Sequence, residues 1–491
     1  MQQKKTIKKI TLIVPRSNIY NLLSAIIMPR YGITILGTIL RDEGFDIQIF
    51  VEDIGPIDWK RVFESDLIGF QVMGPAHNRT KEIISKIKKV KDVPIVLGGT
   101  HPTNIVEECL EFSDFVVRQE GDETLPELIK ALNNNLNLRE VLGVSYKVND
   151  KIVHNPNRPP VKEFDKNPDI SLMQHYPRKS DLKLLLEKRF RLLALQTSRG
   201  CPFNCSFCPA AGMFGRGYRM RSIDSVIKDI KYQLEFSKGG NFIIVDNNFT
   251  ANKERTKALL TRIIDEKINA FFAAFVRLDV AEDEELLKLL HKAGVLMLYI
   301  GFESINDETL NKYNKKQTLS DIKKAVSVIQ KHKIDILASF VLGADDDTKE
   351  TVRETANFAI SSNFAGLYMF CLGEYPNRLE NRLLPIQRTF QYNWDYLNGN
   401  FVTFFPKRMK PSTLQKELIR GHNKFYATTQ IAKALLMGQL GKAGHRMLFK
   451  YNWYRVNKEV KQYLPYLEKV EQGLYDENEI LIEAKLKERL K

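Results

Sequence analysis

The first 145 residues alternate short apolar runs with amphipathic stretches. Within the stretches, apolar side chains recur every three or four positions, which is typical of helices packed on a sheet. The continuous apolar runs are typical of buried parallel strands. The predicted strands are residues 7–14, 45–51, 67–73, 94–97 and 115–117, and the predicted helices are residues 30–44, 58–65, 77–90, 104–111 and 123–133. We therefore predict a doubly wound α/β sheet of about five strands over residues 1–145, with a ligand at the carboxyl ends of its strands.

A hairpin and a proline-rich segment follow this sheet. Two short apolar runs flank the turn residues Asn149 and Asp150, which favour a tight hairpin. Five prolines come next, at positions 156, 159, 160, 168 and 177. Because proline interrupts both helices and strands, residues 146–190 are predicted to form a linker that includes the hairpin.

The alternation of strand and helix resumes at residue 191 and repeats six times. The predicted strands are residues 192–197, 242–245, 271–276, 295–302, 334–342 and 366–370. Six such units fit an open sheet or a (β/α)6 partial barrel over residues 191–385. Residues 386–491 lose the alternation and are rich in aromatic side chains, which predicts a C-terminal helical region that ends in an amphipathic helix at about 477–490.

Polar side chains follow each of the six strands of the second region. In strand order, the residues that follow are the cysteine loop, Asp246 with Asn247, Arg277, Glu303, Gly343 with Asp345, and Cys371 with Glu374. In a parallel barrel the carboxyl ends of the strands meet at one rim, where the working residues lie. The chemistry of this region is therefore expected at a single rim.

Composition and charge narrow the class of protein. The chain has 491 residues, 43% hydrophobic and 27% charged, which excludes a disordered or fibrous protein. No apolar run approaches the roughly 18 residues of a membrane span, and the apolar stretch near the start is too short for a secretion signal, so we expect a cytoplasmic protein. The net charge is +15, but the basic residues are spread along the chain, so charge alone is weak support for an anionic partner.

The five cysteines are Cys109, Cys201, Cys205, Cys208 and Cys371. An odd number, with three of them within eight residues, indicates a thiolate site in a reducing compartment rather than a disulfide framework. Thiolates select zinc or iron–sulfur, and a zinc site needs a fourth ligand, for which no partner pair lies nearby in the sequence. The three clustered cysteines suggest a 4Fe-4S cluster with one iron open to a small molecule. Cys109 is expected to be a packing residue, and Cys371 is either a buried apolar group or a nucleophile.

The cysteine loop also resembles a known family. Its Cys-x3-Cys-x2-Cys spacing after the first strand of a six-unit barrel is the signature of the radical S-adenosylmethionine (SAM) superfamily, and residues 197–208 resemble its branch with an N-terminal Rossmann-like, cobalamin-binding domain. The segments that resemble other parts of that branch are 96–102, 120–123, 275–279, 300–304, 340–343 and 405–414. The branch includes anaerobic magnesium-protoporphyrin ester cyclase, hopanoid-modifying enzymes, and methyltransferases acting on carbon or phosphinate phosphorus.

The resemblance implies a chemistry for the loop. The open iron would be chelated by the amino and carboxylate groups of SAM, and an electron entering the cluster would cleave SAM to a 5′-deoxyadenosyl radical. Cys201, Cys205 and Cys208 match the cluster ligands, and Phe207 matches an apolar residue expected near adenine. An electron donor such as flavodoxin or ferredoxin is implied as a partner.

Five further residues match positions that are expected to bind SAM. Asp246 and Asn247 lie where the family's second-strand motif meets the methionine amino group, although the Gly-Gly-Glu form seen elsewhere is absent. Arg277 and Glu303 are candidates for the carboxylate and the ribose, and Gly343 for a close approach to adenine. Simpler roles stay open: a helix cap for the first two residues, an ion pair with a nearby aspartate for the arginine, and a rim salt bridge for the glutamate.

The first domain is expected to bind cobalamin through the carboxyl ends of its strands. The candidate residues are Gly74, Gly98, Gly99 and Glu120. A glycine pair after a strand lets the backbone approach a nucleotide tail closely. Many cobalamin domains supply a histidine to cobalt after the first strand, but this loop has none, and His77 and His101 in later loops are expected to be solvated. Cobalamin bound without a protein histidine and an empty scaffold domain both stay open.

Three functions are compatible with these features. The first is a radical SAM enzyme that transfers a methyl group through cobalamin to an unactivated carbon, or a phosphinate, of a small or lipid-like substrate. The second is a radical cyclase, mutase or carbon–carbon bond-forming enzyme on the same scaffold. The third is a basic nucleic-acid-binding protein with a zinc clip on the cysteine loop. The first two predict no nucleic-acid partner, and a membrane-held substrate would allow peripheral membrane contact.

Overall fold

The computed structural model describes residues 6–22, 27–176, 192–208, 210–215, 217–238, 240–373 and 388–473. Within these residues the chain forms two sheets with parallel strands, flanked by helices, and a C-terminal group of helices. Glu374, Pro177 and the predicted helix at about 477–490 lie outside the described residues. The limits of the four predicted regions stay predictions.

The first sheet has seven strands in the order β2-β1-β3-β4-β5-β6-β7. The strands are β1 (Lys9–Val14), β2 (Asp46–Val51), β3 (Leu67–Gln71), β4 (Ile95–Gly98), β5 (Phe115–Val117), β6 (Val144–Val148) and β7 (Lys151–His154). The five predicted parallel strands form, and the predicted hairpin β6–β7 adds to the edge of the same sheet, because β6 pairs antiparallel with β5. The hairpin was expected in the linker, and its docking edge could not be predicted from its own pattern.

Helices cover both faces of this sheet. They are α1 (Tyr31–Asp42), α2 (Trp59–Glu64), α3 (His77–Lys88), α4 (Thr100–Asn104), α5 (Val106–Cys109) and α6 (Thr124–Asn134). Leu12 and Ile49 lie in one apolar cluster with residues of α1 and α6. Their chain neighbours Ile13 and Phe50 lie in a second cluster with residues of α2, α3 and α5. Because successive strand residues point to opposite faces, both faces are buried, as a doubly wound fold requires.

The second sheet has six parallel strands in the order β15-β14-β13-β12-β11-β8. The strands are β8 (Leu192–Leu195), β11 (Asn241–Ile244), β12 (Phe271–Val276), β13 (Val295–Glu303), β14 (Asp335–Leu342) and β15 (Gly366–Cys371), and a short antiparallel pair, β9 (Ser198–Arg199) with β10 (Arg219–Met220), lies beside the sheet. All six predicted strands form, and the sequential order of neighbours is that of a (β/α)6 partial barrel. Their carboxyl ends therefore form one rim.

Helices connect the strands of the second sheet and complete its core. They are α7 (Ala210–Phe214), α8 (Ile223–Ser237), α9 (Lys253–Asp265), α10 (Glu284–Lys292), α11 (Asp307–Lys312), α12 (Leu319–Lys331) and α13 (Lys349–Ser361). Local signals set their starts: α12 begins after Thr318, which forms a reciprocal capping box with Asp321. Their apolar faces join the strands in the largest apolar cluster of the described chain.

Three helices form the C-terminal region. They are α14 (Pro411–Phe425), α15 (Thr428–Leu436) and α16 (Leu440–Glu471). Residues of α14 and α16, including Leu414 and Trp453, belong to the same apolar cluster as the second sheet. The helical prediction for this region is confirmed within the described residues. None of the helices described is both long enough and apolar enough to cross a bilayer.

Candidate active site

The three clustered cysteines lie on the loop between β9 and α7. Cys201, Cys205 and Cys208 are half-buried, and none of them forms a disulfide. The segment after α11 holds this loop: Ser206 donates its backbone N–H to the Tyr313 carbonyl at 3.1 Å, and Asn314 Nδ2 donates to a loop carbonyl at 2.8 Å. Backbone groups of the loop therefore anchor it to this segment.

The spacing of ligand atoms distinguishes a cluster site from a site for one ion. In the described chain, His77, His101 and Cys109 place their ligand atoms close enough together to hold one metal ion. The three loop cysteines do not form such a group. A single zinc would bring sulfur ligands to about 3.8 Å from one another, since Zn–S bonds are about 2.3 Å long. Three thiols on one loop fit the ligand set of a 4Fe-4S cluster with one iron open to a small molecule.

Arg277 follows β12 and lies against the cysteine loop. Its Nη1 is 3.2 Å from Cys205 Sγ, and its Nη2 donates to the Lys315 carbonyl at 3.1 Å. The guanidinium also stacks over the Phe203 ring, 3.9 Å from the ring centre. From the sequence, Arg277 is a candidate for the SAM carboxylate; in the structure its guanidinium contacts a cysteine sulfur, where a fixed positive charge offsets the charge of a thiolate.

Glu303 and Phe207 meet at a common neighbour, Lys315. Glu303 ends β13 in the left-handed region, with φ +69°, and its Oε1 lies 3.3 Å from Lys315 Nζ, both side chains being buried. That ammonium lies 5.7 Å from the centre of the Phe207 ring. Phe207 also packs on Tyr313 at 5.3 Å, and the buried Tyr313 hydroxyl has no hydrogen-bond partner among the described residues. The ion pair matches the simpler role that stayed open for Glu303.

Lys315 and Tyr313 are site residues that sequence reasoning missed. They follow a helix rather than a strand, so the rule that working residues come directly after barrel strands did not select them. Their signal is structural only: one contacts Phe207 and Glu303 through its ammonium group, and the other through its ring and backbone anchors the cysteine loop.

Asp246 has a different partner from the one the sequence suggested. It is buried, and its two oxygens accept hydrogen bonds from Thr197 N (2.7 Å), Thr197 Oγ1 (2.6 Å) and Ser198 Oγ (2.7 Å). Burial raises the pKa of Asp246 above its usual value, and these hydrogen bonds offset part of that rise. The carboxylate therefore fixes the turn that leads into the cysteine loop, instead of standing ready for the methionine amino group. Asn247 beside it is exposed, and Asn248 is buried with an unpartnered Nδ2 among the described residues.

Gly343 is also held by the protein rather than open to a ligand. Its φ is +99°, and a Cβ at this position would lie 2.8 Å from both Leu414 Cδ2 and Phe404 Cζ. The close approach for which glycine is needed is thus made by the C-terminal region, not by the expected adenine. Its backbone N–H and that of Ala344 donate to Asp347 Oδ2 at 2.8 and 3.0 Å.

Glu120, which follows β5, joins the two sheets. It is buried and accepts two hydrogen bonds from Arg219, at 2.7 and 2.9 Å. Two residues later, Asp122 makes a bidentate pair with Arg199, at 2.9 and 3.0 Å. Arg199 and Arg219 belong to β9 and β10, directly beside the cysteine loop. The loop after β5 therefore ties the first sheet to the cysteine loop.

Gly74 follows β3, and Gly98 and Gly99 lie at the end of β4, on the same edge of the first sheet. Gly74 and Gly98 are half-buried, and Gly99 has φ +103°, with Val72 O 2.9 Å from where its Cβ would be. Val72, not a ligand, therefore requires glycine at position 99. An edge lined by glycine backbone fits a large flat ligand such as a corrin ring.

A buried histidine pair lies at the same edge. His101 Nε2 and His77 Nδ1 are 2.8 Å apart, and His77 Nε2 is 3.0 Å from Glu108 Oε1. Burial and the neighbouring imidazole lower the pKa of His101 to about 3, so it is neutral at pH 7. Glu108 lies beside His77 Nε2, and a hydrogen bond links the two imidazoles, with its donor set by the tautomers. The expectation that both histidines are solvated is wrong, because Trp394 of the C-terminal region covers them, 4.4 Å from His101.

The remaining two cysteines are buried. The Cys371 thiol donates to the Phe401 carbonyl at 2.7 Å, and burial raises its pKa to about 12. Burial likewise raises the pKa of the Cys109 thiol well above its usual value. Both thiols stay protonated, so Cys371 is a packing residue rather than a nucleophile, and Cys109 is a poor metal ligand beside the histidine pair.

Comparisons with known proteins agree with this geometry. The radical SAM superfamily model matches residues 195–359, and the B12 binding domain model matches residues 19–129. An uncharacterized methyltransferase of Pyrococcus horikoshii is 30% identical over 424 residues, covering 82% of this chain and 89% of the relative. Anaerobic magnesium-protoporphyrin IX monomethyl ester cyclase of Rubrivivax gelatinosus is 28% identical over 304 residues, covering 60% of this chain and 54% of the relative.

A solved structure shares the fold. The radical SAM methyltransferase TsrM of Kitasatospora setae, determined with cobalamin and a [4Fe-4S] cluster bound, superposes with a TM-score of 0.61 at 20% identity, covering 76% of this chain and 74% of that one. The matched domains carry the cofactors: a 4Fe-4S cluster and SAM for the radical SAM domain, and cobalamin for the B12-binding domain. The resemblance seen in the sequence is thereby confirmed. The chain belongs to the radical SAM superfamily, within the group of enzymes that carry a B12-binding domain.

Proposed function

We propose that this enzyme transfers a methyl group to an unactivated carbon, or a phosphinate, of a small or lipid-like substrate. The observation that carries the proposal is the contact between the two cofactor domains. The loop after β5 holds Arg199 and Arg219, on either side of the cysteine loop, through two carboxylates. A methyl carrier and a radical source must act on one substrate, so their domains must be fixed close together.

The cluster ligands in this proposal are Cys201, Cys205 and Cys208. Arg277 supports them with a positive charge 3.2 Å from Cys205 Sγ. Asp246 is a positioning residue that fixes the turn before the loop. Phe207, with Tyr313, forms an apolar wall suited to adenine, and Glu303 with Lys315 supplies buried polar groups beside it. Asn247 is exposed at the same rim and is proposed to meet the methionine end of SAM.

When bound, the cluster and SAM supply a carbon-centred radical, and cobalamin supplies a methyl carrier. The chain's own residues orient and shield these groups. Gly74 and Gly98 are proposed to let the backbone approach the corrin at the edge of the first sheet, while Trp394 covers the histidine pair next to it. The packing of Gly343 on Phe404 and Leu414 keeps the C-terminal region over the barrel rim, where it excludes water.

The second candidate is ring closure by the same radical without methyl transfer. It is favoured by the cyclase relative, which shares 28% identity with this chain. A zinc-clipped nucleic-acid-binding protein is not supported, since the two family models account for both the cysteine loop and the first domain. We propose a flavodoxin or ferredoxin as electron donor, and the reducing cytoplasm as the compartment, because free thiolate ligands require it.

Isotope labelling separates the two candidates. The reconstituted enzyme is incubated anaerobically with SAM carrying a deuterated methyl group, a reductant, cobalamin, and a small-molecule and lipid extract. Methyl transfer predicts a product that is heavier by the whole labelled methyl group, together with 5′-deoxyadenosine. Cyclisation predicts 5′-deoxyadenosine and a product that has lost hydrogen but carries no label, and this result would remove the methyltransferase proposal.

A further inference from the structure

Exposed apolar side chains concentrate at the corner between α15 and α16. Of fifteen large apolar side chains exposed in the described chain, eight lie between Leu435 and Tyr454. Leu436 is 90% exposed and Leu440 is 71% exposed. Soluble monomers expose single apolar residues commonly, but a contiguous group of this kind marks an interaction surface.

The exposed residues of α16 lie on one helical face. Leu440, Met447, Tyr451 and Tyr454 are spaced three, four or seven residues apart, so they fall on one side of the helix. The opposite side is buried, with Trp453 and Val456 in the core of the second sheet. The first four turns of α16 thus have two apolar sides. One side packs on the core of the second sheet, and the other is exposed in the described chain.

The net positive charge around the α15–α16 corner indicates an anionic partner. Residues 431–461 contain seven lysines and arginines and one acidic residue, Glu459. Lys458 continues the exposed face of α16 by one turn beyond Tyr454, and Lys433 is exposed on α15. A two-fold contact with a second copy would set these positive charges against one another, because such an interface joins identical patches. An anionic lipid surface complements both the charge and the apolar side chains.

We propose that the α15–α16 corner docks the enzyme on a bilayer that carries anionic lipids. Leu436 and Leu440 enter the boundary between headgroups and acyl chains, and Tyr451 and Tyr454 lie at the headgroup level. Lys433 and Lys458 contact lipid phosphates. The docking is peripheral and reversible, and it is independent of whether the reaction is methyl transfer or ring closure.

Vesicle co-sedimentation of the full chain tests the proposal. The protein is mixed with phosphatidylcholine vesicles with or without about 30 mol% phosphatidylglycerol, at low and high salt. We expect binding to the anionic vesicles that weakens with salt. The double variant L436S/L440S should reduce the partition constant at least about tenfold, since it removes the inserting groups. Lys458→Glu should reduce it at least about fivefold.

A matched variant and two further measurements make the outcome decisive. V90S/L136S removes two exposed apolar side chains, 63% and 58% exposed, from the first domain and should bind vesicles like the wild type. Equal loss in both double variants, or no binding by the full chain, would overturn the proposal. A dimer in light scattering that L436S/L440S dissociates would assign the face to a second copy. Vesicle binding that appears only after deletion of residues 474–491 would assign it to that segment, and either result overturns the membrane assignment.

Discussion

Replacing Asp122 with asparagine tests the contact that joins the first sheet to the cysteine loop. Asp122 and Arg199 form two hydrogen bonds at 2.9 and 3.0 Å, and their side chains are 13% and 6% exposed. The substitution keeps the shape of the side chain and removes its charge. Arg199 then stays buried, with Glu120 Oε1 at 3.5 Å as its nearest remaining carboxylate.

The expected loss of stability follows from that geometry. Removing one partner of a buried ion pair costs about 3–5 kcal/mol, because the other charge is left uncompensated. Glu120 and the remaining amide oxygen of the variant both reduce this cost, so we expect a loss of about 2 kcal/mol in the free energy of unfolding. The exposed pair of Lys416 and Glu468, at 2.9 Å with both side chains about half exposed, provides the control. Glu468→Gln should cost less than about 1 kcal/mol.

Urea unfolding followed by circular dichroism measures both variants, and iron content after anaerobic reconstitution reports on the cysteine loop. Asp122→Asn should also lower the iron content, because Arg199 is two residues from Cys201, a proposed cluster ligand. If Asp122→Asn is as stable as Glu468→Gln and retains its iron, the contact does not hold the loop and the reasoning is refuted.

Three other substitutions, one of them with a control variant, test separate features of the structure. Burial raises the pKa of Asp347 to about 6, so its ionisation in the folded state costs about 3 kcal/mol, and the contribution of Asp347 to stability should fall as the pH rises from about 4 to about 6. Asp347→Asn should remove this dependence in thermal melts across that pH range, and an unchanged slope would contradict it. Gly343→Ala should destabilise the protein by about 2 kcal/mol or more, because φ is +99° and its Cβ would collide with Phe404, while Gly444→Ala, where nothing lies within 4 Å, should stabilise it by about 0.5–1 kcal/mol. If both variants melt alike, the packing argument fails. Asp246→Ala should lower the iron bound on reconstitution, since three hydrogen bonds to the turn before the loop are lost, and full iron content would show that the turn does not depend on them.

The strands could be predicted from the sequence because buried parallel strands consist of continuous runs of apolar residues. Phe271–Val276 and Phe115–Val117 were predicted to the residue, and the other parallel strands to within a few residues. The position of the cysteine loop followed from the order of strands alone. These features depend on local pattern, which a single sequence carries.

The partners of the candidate site residues could not be predicted, because they depend on contacts between distant segments. Glu120 pairs with Arg219, 99 residues away, and Trp394 contacts Glu108, 286 residues away. The local sequence around a glutamate in a loop after a strand is the same whether its carboxylate binds a ligand or pairs with an arginine of another domain. Gly343 likewise gives no sign in the sequence that its close neighbours are Leu414 and Phe404.

The central claim is that Cys201, Cys205 and Cys208 hold a 4Fe-4S cluster whose fourth iron binds SAM. Electron paramagnetic resonance of the reduced, reconstituted protein tests it most directly, recorded before and after the addition of SAM. The account predicts a 4Fe-4S signal that shifts when SAM is added and that is absent from Cys205→Ala. A missing signal in the wild type, or a signal that SAM leaves unchanged, would contradict it.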